Sequence, residues 1–198
     1  NRLIDKDVEN NKTSYSEYSF DDIKRLIYDS NRFSESYRQI VIDAFWDTYV
    51  VDALLANGDR HGKNWGFLKV KNFYRVAPIF DNGNSLFSGL NDKEEIEYIL
   101  SSEEEMDDRV FNRPRSLIRL DGVISDYYSV ISSKKFVDCN NAILRIVRRI
   151  NLTKINSVID SIDEEDLPSY RKTFLKKIIQ LRYEKILLNT YRDLTLWI

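Results

Sequence analysis

Gly58-Asp59-Arg60-His61-Gly62-Lys63-Asn64, and further on Phe80-Asp81-Asn82-Gly83, are the two stretches on which the fold and chemistry of this chain turn. An aspartate and an asparagine stand five positions apart, and a second aspartate follows a short β-like stretch. Transfer of a phosphoryl group asks little covalent chemistry of a protein. It needs an acceptor oxygen in line, a partner for the proton of that acceptor, and cations on the phosphates. Asp59 suits the proton, while Asn64 and Asp81 offer one neutral and one charged hard oxygen, a donor set that Mg²⁺ accepts. Either Lys63 or Arg60 is placed to face phosphate charge. Gly62 and Gly83 are expected to ease the tight turns around the site. The plain alternative is structural, because Asp and Asn after a helix also cap turns.

Upstream, Tyr37, Ile40, Val41, Ala44, Phe45, Thr48, Val51 and Leu55 recur at helical spacing, and Ile42, Trp46, Tyr49, Val50, Ala53 and Leu54 make the other side apolar. The pattern predicts a helix from about Ser34 to Ala56, buried on most sides, that acts as a central strut. Asn57-Gly58 is expected to end it, with glycine in the left-handed stop. Downstream, Trp65–Val70 and Phe73–Val76 read as two strands joined at Lys71-Asn72. In that register Asn64 falls opposite Ile79, so Asp81 shares its face, at a diagonal separation of roughly 7–8 Å. Pro78 is expected to end regular pairing nearby.

Before the strut, residues 1–18 read as a polar lead-in, and Ser19-Phe20-Asp21-Asp22 as a capped helix start. After Leu90, the segment Asp92 to Asp108 holds nine acidic residues and one basic residue, the pattern of a solvated helix face. Further helices are predicted at about 140–150, 153–162 and 168–189. The expected fold is α+β and predominantly helical, with a single antiparallel hairpin carrying the catalytic and metal-binding loops. The organisation is one domain over 1–198, with the catalytic core at 19–90 and a helical remainder at 91–198.

The 198 residues, 42% of them hydrophobic, suffice for a sizeable core, and a net charge of −2 gives no basic excess to hold nucleic acid. A lone cysteine, Cys139, excludes an internal disulfide, and with one histidine it leaves no zinc framework. Cys139 is expected to be an inert packing residue, and Tyr127, Tyr128 and Trp197 are likewise assigned to packing. Arg145, Arg148 and Arg149 form an ordinary basic helix face. No apolar run approaches membrane-spanning length, no signal peptide is evident, and a reducing cytoplasm is the expected setting.

The two quoted stretches resemble the HipA-like serine/threonine kinases, the toxin half of certain bacterial toxin–antitoxin modules. Asp59, His61, Lys63 and Asn64 match the family's Asp-x-His-x-Lys-Asn, and Pro78, Phe80 and Asp81 match its Pro-x-Tyr/Phe-Asp. Gly-Asp-Arg-His-x-x-Asn is also similar to the catalytic loop of phosphoinositide kinases. The resemblance implies the larger lobe of a protein-kinase-like fold, with ATP and Mg²⁺ as cofactors and a protein substrate. Asp59 is then the catalytic base, with Lys63 and His61 beside it, His61 bracing the loop. Asn64 and Asp81 become the metal ligands, and Arg60 joins them in holding the nucleotide. A DNA-binding antitoxin becomes an expected partner.

A kinase also needs a phosphate-covering loop and a small-lobe lysine. None of the six glycines falls in such a motif, and the first 57 residues contain none. With Asn1 first and Met106 the only methionine, the sequence is expected to be a piece lacking the small lobe, or one half of a split pair. Alone it should bind ATP feebly and turn over little. A non-catalytic interaction module of kinase-like shape and a Mg²⁺-dependent phosphatase are the alternatives.

Overall fold

A capping box opens the described residues. Ser19 Oγ accepts from the Asp22 N–H at 3.1 Å, Asp22 Oδ2 accepts from the Ser19 N–H at 3.1 Å, and helix α1 (Phe20–Asp29) follows. The computed structural model describes residues 19–71 and 73–196, without the side chains of Lys63 and Leu117. The predicted lead-in over 1–18, Asn72 of the predicted turn and Trp197 lie outside the described residues.

Helix α2 (Glu35–Leu55) is the predicted strut. It buries Trp46, Val50 and Ala53 completely, sets Phe20 of α1 against Trp46 with ring centroids 4.8 Å apart, and packs most extensively on the later helix over Val137–Ile146. Its end differs from expectation, because Ala56 takes the left-handed conformation at φ 51° and Gly58 does not. Gly58 instead permits a close approach, since a Cβ there would lie 3.1 Å from the Cβ of Pro114.

Strands β1 (Phe67–Val70) and β2 (Phe73–Val76) pair in the predicted register, Phe67 with Val76 and Val70 with Phe73. The hairpin root is clamped to α2 by Phe45 against Trp65, 5.2 Å between centroids, and by Tyr37 Oη, which accepts from the Val76 N–H at 3.1 Å. One further bond, Ala77 N–H to the Gly66 carbonyl at 2.9 Å, closes the ladder. Asn64 lies beyond it in a 3₁₀ turn (Gly62–Asn64), so strand pairing does not set the relation between Asn64 and Asp81.

The acidic segment folds as two short helices, α3 (Lys93–Ser101) and α4 (Glu103–Asp107), capped by Asp92 and Ser102. Ile96 and Ile99 are fully buried, whereas Tyr98 is exposed. A π turn (Asp108–Asn112) leads into a second antiparallel hairpin, β3 (Arg115–Leu120) and β4 (Val123–Asp126). This hairpin corrects the expectation of a single one. Its turn residues Asp121 and Gly122, at φ 53° and 82°, are an Asp-Gly pair between apolar alternations, a strong hairpin signal.

Helices α5 (Tyr127–Ser132), α6 (Val137–Ile146), α7 (Leu152–Asp160) and α8 (Ser169–Arg182) complete the body. A π turn (Tyr183–Leu188) carries α8 into α9 (Asn189–Thr195). Among the described residues no helix is long and apolar enough to cross a membrane. Cys139 is buried on α6, and burial raises its thiol pKa, as expected of an inert packing residue.

Arg182 joins these parts. It is 1% exposed, and its Nε donates to the Ala53 carbonyl at 2.6 Å. Its Nη1 donates to the carbonyls of Arg109, Val110 and Arg113 at 2.7, 2.9 and 2.8 Å. It thereby satisfies acceptors that α2 and the π turn leave open. Burial pushes its pKa down to about 10, so the guanidinium stays charged at neutral pH. Arg182→Lys replaces a planar fork by a single ammonium and strands buried carbonyls. A loss of about 3 kcal/mol is expected, seen as a lower urea midpoint at unchanged slope.

Candidate active site

Helix α2 carries one carboxylate in its buried last turns. Asp52 is 2% exposed, and an isolated ion there would be prohibitively costly. Arg60 supplies the counter-charge in a bidentate fork, Nε to Oδ2 at 2.8 Å and Nη2 to Oδ1 at 2.9 Å. Asn57 Nδ2 adds a third bond to Oδ1 at 2.9 Å. Burial by itself would lower the pKa of Arg60, but its hydrogen bond to Asp52 and the charge of Asp52 outweigh that, so the net direction is upward.

The remaining donors of the same guanidinium cross to the second stretch. Nη1 donates to the carbonyls of Asn64, at 3.3 Å, and Phe80, at 2.6 Å, while Nη2 also donates to Asn82 Oδ1. The residues just before and after Asp81 are thus tied to the loop that holds Asn64. Arg60, and not the strand register, makes this link between the two stretches. The guanidinium of Arg60, expected to face phosphate charge, is engaged here by protein on both sides.

Asp59 is fixed through its backbone. Its N–H donates to Asn57 Oδ1 at 3.0 Å, and its carbonyl accepts from the His61 N–H at 2.9 Å and from Asn64 Nδ2 at 2.8 Å. Its side chain is 42% exposed, with Oδ2 held by Asn84 Nδ2 at 3.0 Å and His61 Nε2 lying 3.8 Å from Oδ1. His61 thus takes part in the loop's bracing through its N–H. Asn64 is 6% exposed, and with Nδ2 bonded to Asp59 its Oδ1 makes no hydrogen bond among the described residues.

Asp81 is exposed, at φ 58°, a left-handed conformation that Asp tolerates better than most residues. Its carboxylate accepts no hydrogen bond among the described residues, although its charge helps to raise the pKa of Arg60. The positive φ in this turn is held by Asp81 and not by Gly83. The side chain of Lys63 lies outside the described residues.

Four contributors escaped the motif: Asp52, Asn57, Asn84 and Tyr127. Tyr127 Oη donates to the Asn57 carbonyl at 2.6 Å, and burial, followed by the charge of Asp52, raises its pKa so that it stays a neutral donor. Only Asp52 had a sequence signal, a carboxylate set within the apolar run from Tyr49 to Leu55 that demands a partner.

The arrangement sets two side-chain oxygens that make no hydrogen bond among the described residues, Asn64 Oδ1 and the Asp81 carboxylate, near an anchored and half-exposed carboxylate, Asp59. Among the described residues no group of three or more His, Cys, Asp or Glu could hold a metal ion. One carboxylate with an amide oxygen suits Mg²⁺, which keeps several waters or phosphate oxygens of its own.

Residues 3–130 match the family model for the HipA-like C-terminal domain. The serine/threonine-protein kinase CtkA of Helicobacter pylori is 38% identical over 146 residues, which cover 72% of this chain and 44% of that protein. A crystal structure of the Helicobacter pylori proinflammatory kinase CtkA matches with a TM-score of 0.84 at 30% identity, covering 93% of this chain and 66% of that one. The chain thus spans under half the length of the curated relative.

Asp52→Asn removes one charge and leaves Arg60 buried without its counter-ion. A destabilisation of about 3–5 kcal/mol is expected by chemical denaturation. Replacing both partners, as Asp52→Leu with Arg60→Met, should recover part of that loss while loosening the site loops.

Proposed function

The chain belongs to the HipA-like C-terminal domain family, and we propose that it is the catalytic lobe of a serine/threonine protein kinase that transfers the γ-phosphoryl group of ATP to a protein hydroxyl. The observation that carries the reading is the braced arrangement of Asp59, Asn64 and Asp81 around Arg60, with Asn64 Oδ1 and the Asp81 carboxylate left without a hydrogen bond among the described residues.

Asp59 is the group that orients the acceptor hydroxyl and takes its proton. Asn84 holds Oδ2, which leaves Oδ1 for that task. Asn64 Oδ1 and the Asp81 carboxylate would hold Mg²⁺, which when bound neutralises charge on the phosphates. Lys63 is assigned to phosphate charge, since Arg60 is committed to Asp52. His61 braces the loop through its bond to the Asp59 carbonyl. The phosphate-covering loop and its lysine are assigned to polypeptide outside residues 1–198, in the same chain or another. A toxin–antitoxin setting in the cytoplasm, with a DNA-binding antitoxin as partner, is part of the proposal on family resemblance alone.

The test uses the full-length polypeptide that contains these residues. Asp59→Asn should lower kcat for phosphate transfer from ATP by about 10²–10⁴-fold with little change in nucleotide affinity. Unchanged turnover would sink the assignment and favour a non-catalytic interaction module. In the same assay, Asp81→Asn should raise the Mg²⁺ concentration for half-maximal rate by about tenfold or more. A rate that follows Mg²⁺ as the wild type does would remove Asp81 from the metal site.

A further inference from the structure

Away from Asp59, Asn64 and Asp81, one pocket is lined by residues whose polar donors have no acceptor among the described residues. It measures about 400 Å³ and lies between the segment 85–91 and the first turn of α8, with Ser85, Ser88 and Asn91 on one wall and Asp166, Tyr170 and Arg171 on the other. Arg171 is 7% exposed. Its Nη2 donates to the carbonyls of Leu86 and Phe87, both at 2.7 Å, and its guanidinium lies over the Phe174 ring at 5.3 Å. Its Nη1 is buried with no acceptor among the described residues, and Ser85 Oγ likewise has no partner among them. No carboxylate of the described residues forms an ion pair with Arg171, and burial lowers its pKa, only partly offset by Tyr170. A buried cation with an idle donor is poorly compensated by the protein alone.

The start of α8, a helix of 14 residues, supplies a second and independent observation. Pro168 at its N-cap has no side-chain acceptor to offer. The Ser169 N–H is taken by Glu164 Oε1 at 2.9 Å, but those of Tyr170 and Arg171 find no acceptor among the described residues. Free amides at a helix N-terminus favour an anion.

We propose that this pocket is a phosphoryl-binding site, with Arg171, the first amides of α8 and the Ser85 hydroxyl as donors. The phosphoryl group has two possible sources, a free phosphate-bearing ligand or Ser88, whose exposed hydroxyl is on the pocket wall. In the second case Ser88 Oγ bonds to the γ-phosphorus of a nucleoside triphosphate. The bond to the β–γ bridging oxygen breaks, the diphosphate leaves, and the hydroxyl proton passes to solvent. Occupancy would matter for the active site because of where the segment runs. Leu86 and Phe87 hold consecutive left-handed conformations, φ 56° and 53°, costly for side-chain-bearing residues and pinned by Arg171. Leu86 N–H also bonds the Leu55 carbonyl at 2.7 Å, and two residues upstream Asn84 holds Asp59. An anion that fixes Arg171 fixes the segment leading to Asn84. Asp166, exposed on the wall, is a like charge that works against binding.

The experiment is a calorimetric titration of the full-length polypeptide with inorganic phosphate, in chelator to suppress divalent-metal sites and at ionic strength matched with chloride. Saturable binding is expected in the wild type. It should weaken by about tenfold or more in Arg171→Lys, which loses the fork, and strengthen in Asp166→Asn. Should Arg171→Lys fail to fold by circular dichroism, the Asp166→Asn arm decides alone. If free phosphate does not bind, the same chain carrying phosphoserine at Ser88 is compared with the unmodified one by hydrogen exchange over 85–91. Slower exchange that needs Arg171 or grows with Asp166→Asn supports the covalent source. Phosphate binding indifferent to these variants, or no effect from either source, overturns the site. Because the readouts are binding and exchange, they stand or fall separately from phosphotransfer at Asp59.

Discussion

A buried ion pair between Asp52 on α2 and Arg60 on the following loop is the constraint on which the rest of this structure depends. Neither charge is tolerable there alone, and together they turn a liability into a fixed point. Because the guanidinium has five donors, pairing with Asp52 leaves some over, and these reach Asn64, Phe80 and Asn82. The rigidity of a strut buried on most sides is thereby passed to two loops that would otherwise be held mainly by the small β1–β2 hairpin. The side-chain oxygens proposed to meet substrate and metal are not used in this bracing, apart from Asp59 Oδ2, so support and chemistry fall on different atoms.

The same device appears twice more. Arg182 bonds carbonyls at the end of α2 and around the π turn, and Arg171 bonds those of Leu86 and Phe87. Each stands where regular structure stops and leaves acceptors that water does not reach. A planar fork serves several carbonyls at once, which a lysine does not. Arg182 is well satisfied by its carbonyls, whereas Arg171 retains an idle donor beside a wide pocket, and that contrast marks the second site out.

Much of the architecture is written locally. The apolar faces of Tyr37 to Leu55 give the strut, Ser19 and Asp22 give the start of α1, and the strand pattern around Lys71 gives the β1–β2 register. These depend on interactions a few residues apart or on burial patterns of fixed period. The second hairpin was equally legible in Asp121-Gly122, but the predominance of helix in this half hid it. The candidate residues Asp59, Asn64 and Asp81 could be named from residue type and spacing, because Mg²⁺ and a transferred proton demand particular oxygens.

How those residues are held together lay beyond the sequence. The strand register was expected to bring Asn64 and Asp81 to one face, but the ladder ends at Gly66 and Ala77, and a guanidinium takes over. Arg60, next to the aspartate proposed as the base, looks like a ligand for phosphate, but in the fold it pairs with a carboxylate eight residues earlier on the helix. Asn84 and Tyr127, distant in sequence from the loop they brace, carry no local mark of that role. Sequence alone determined which atoms were available for chemistry, since that is a property of side chains. Tertiary structure decided which of them are consumed in holding the fold, since a buried charge takes its partner from whatever packs beside it.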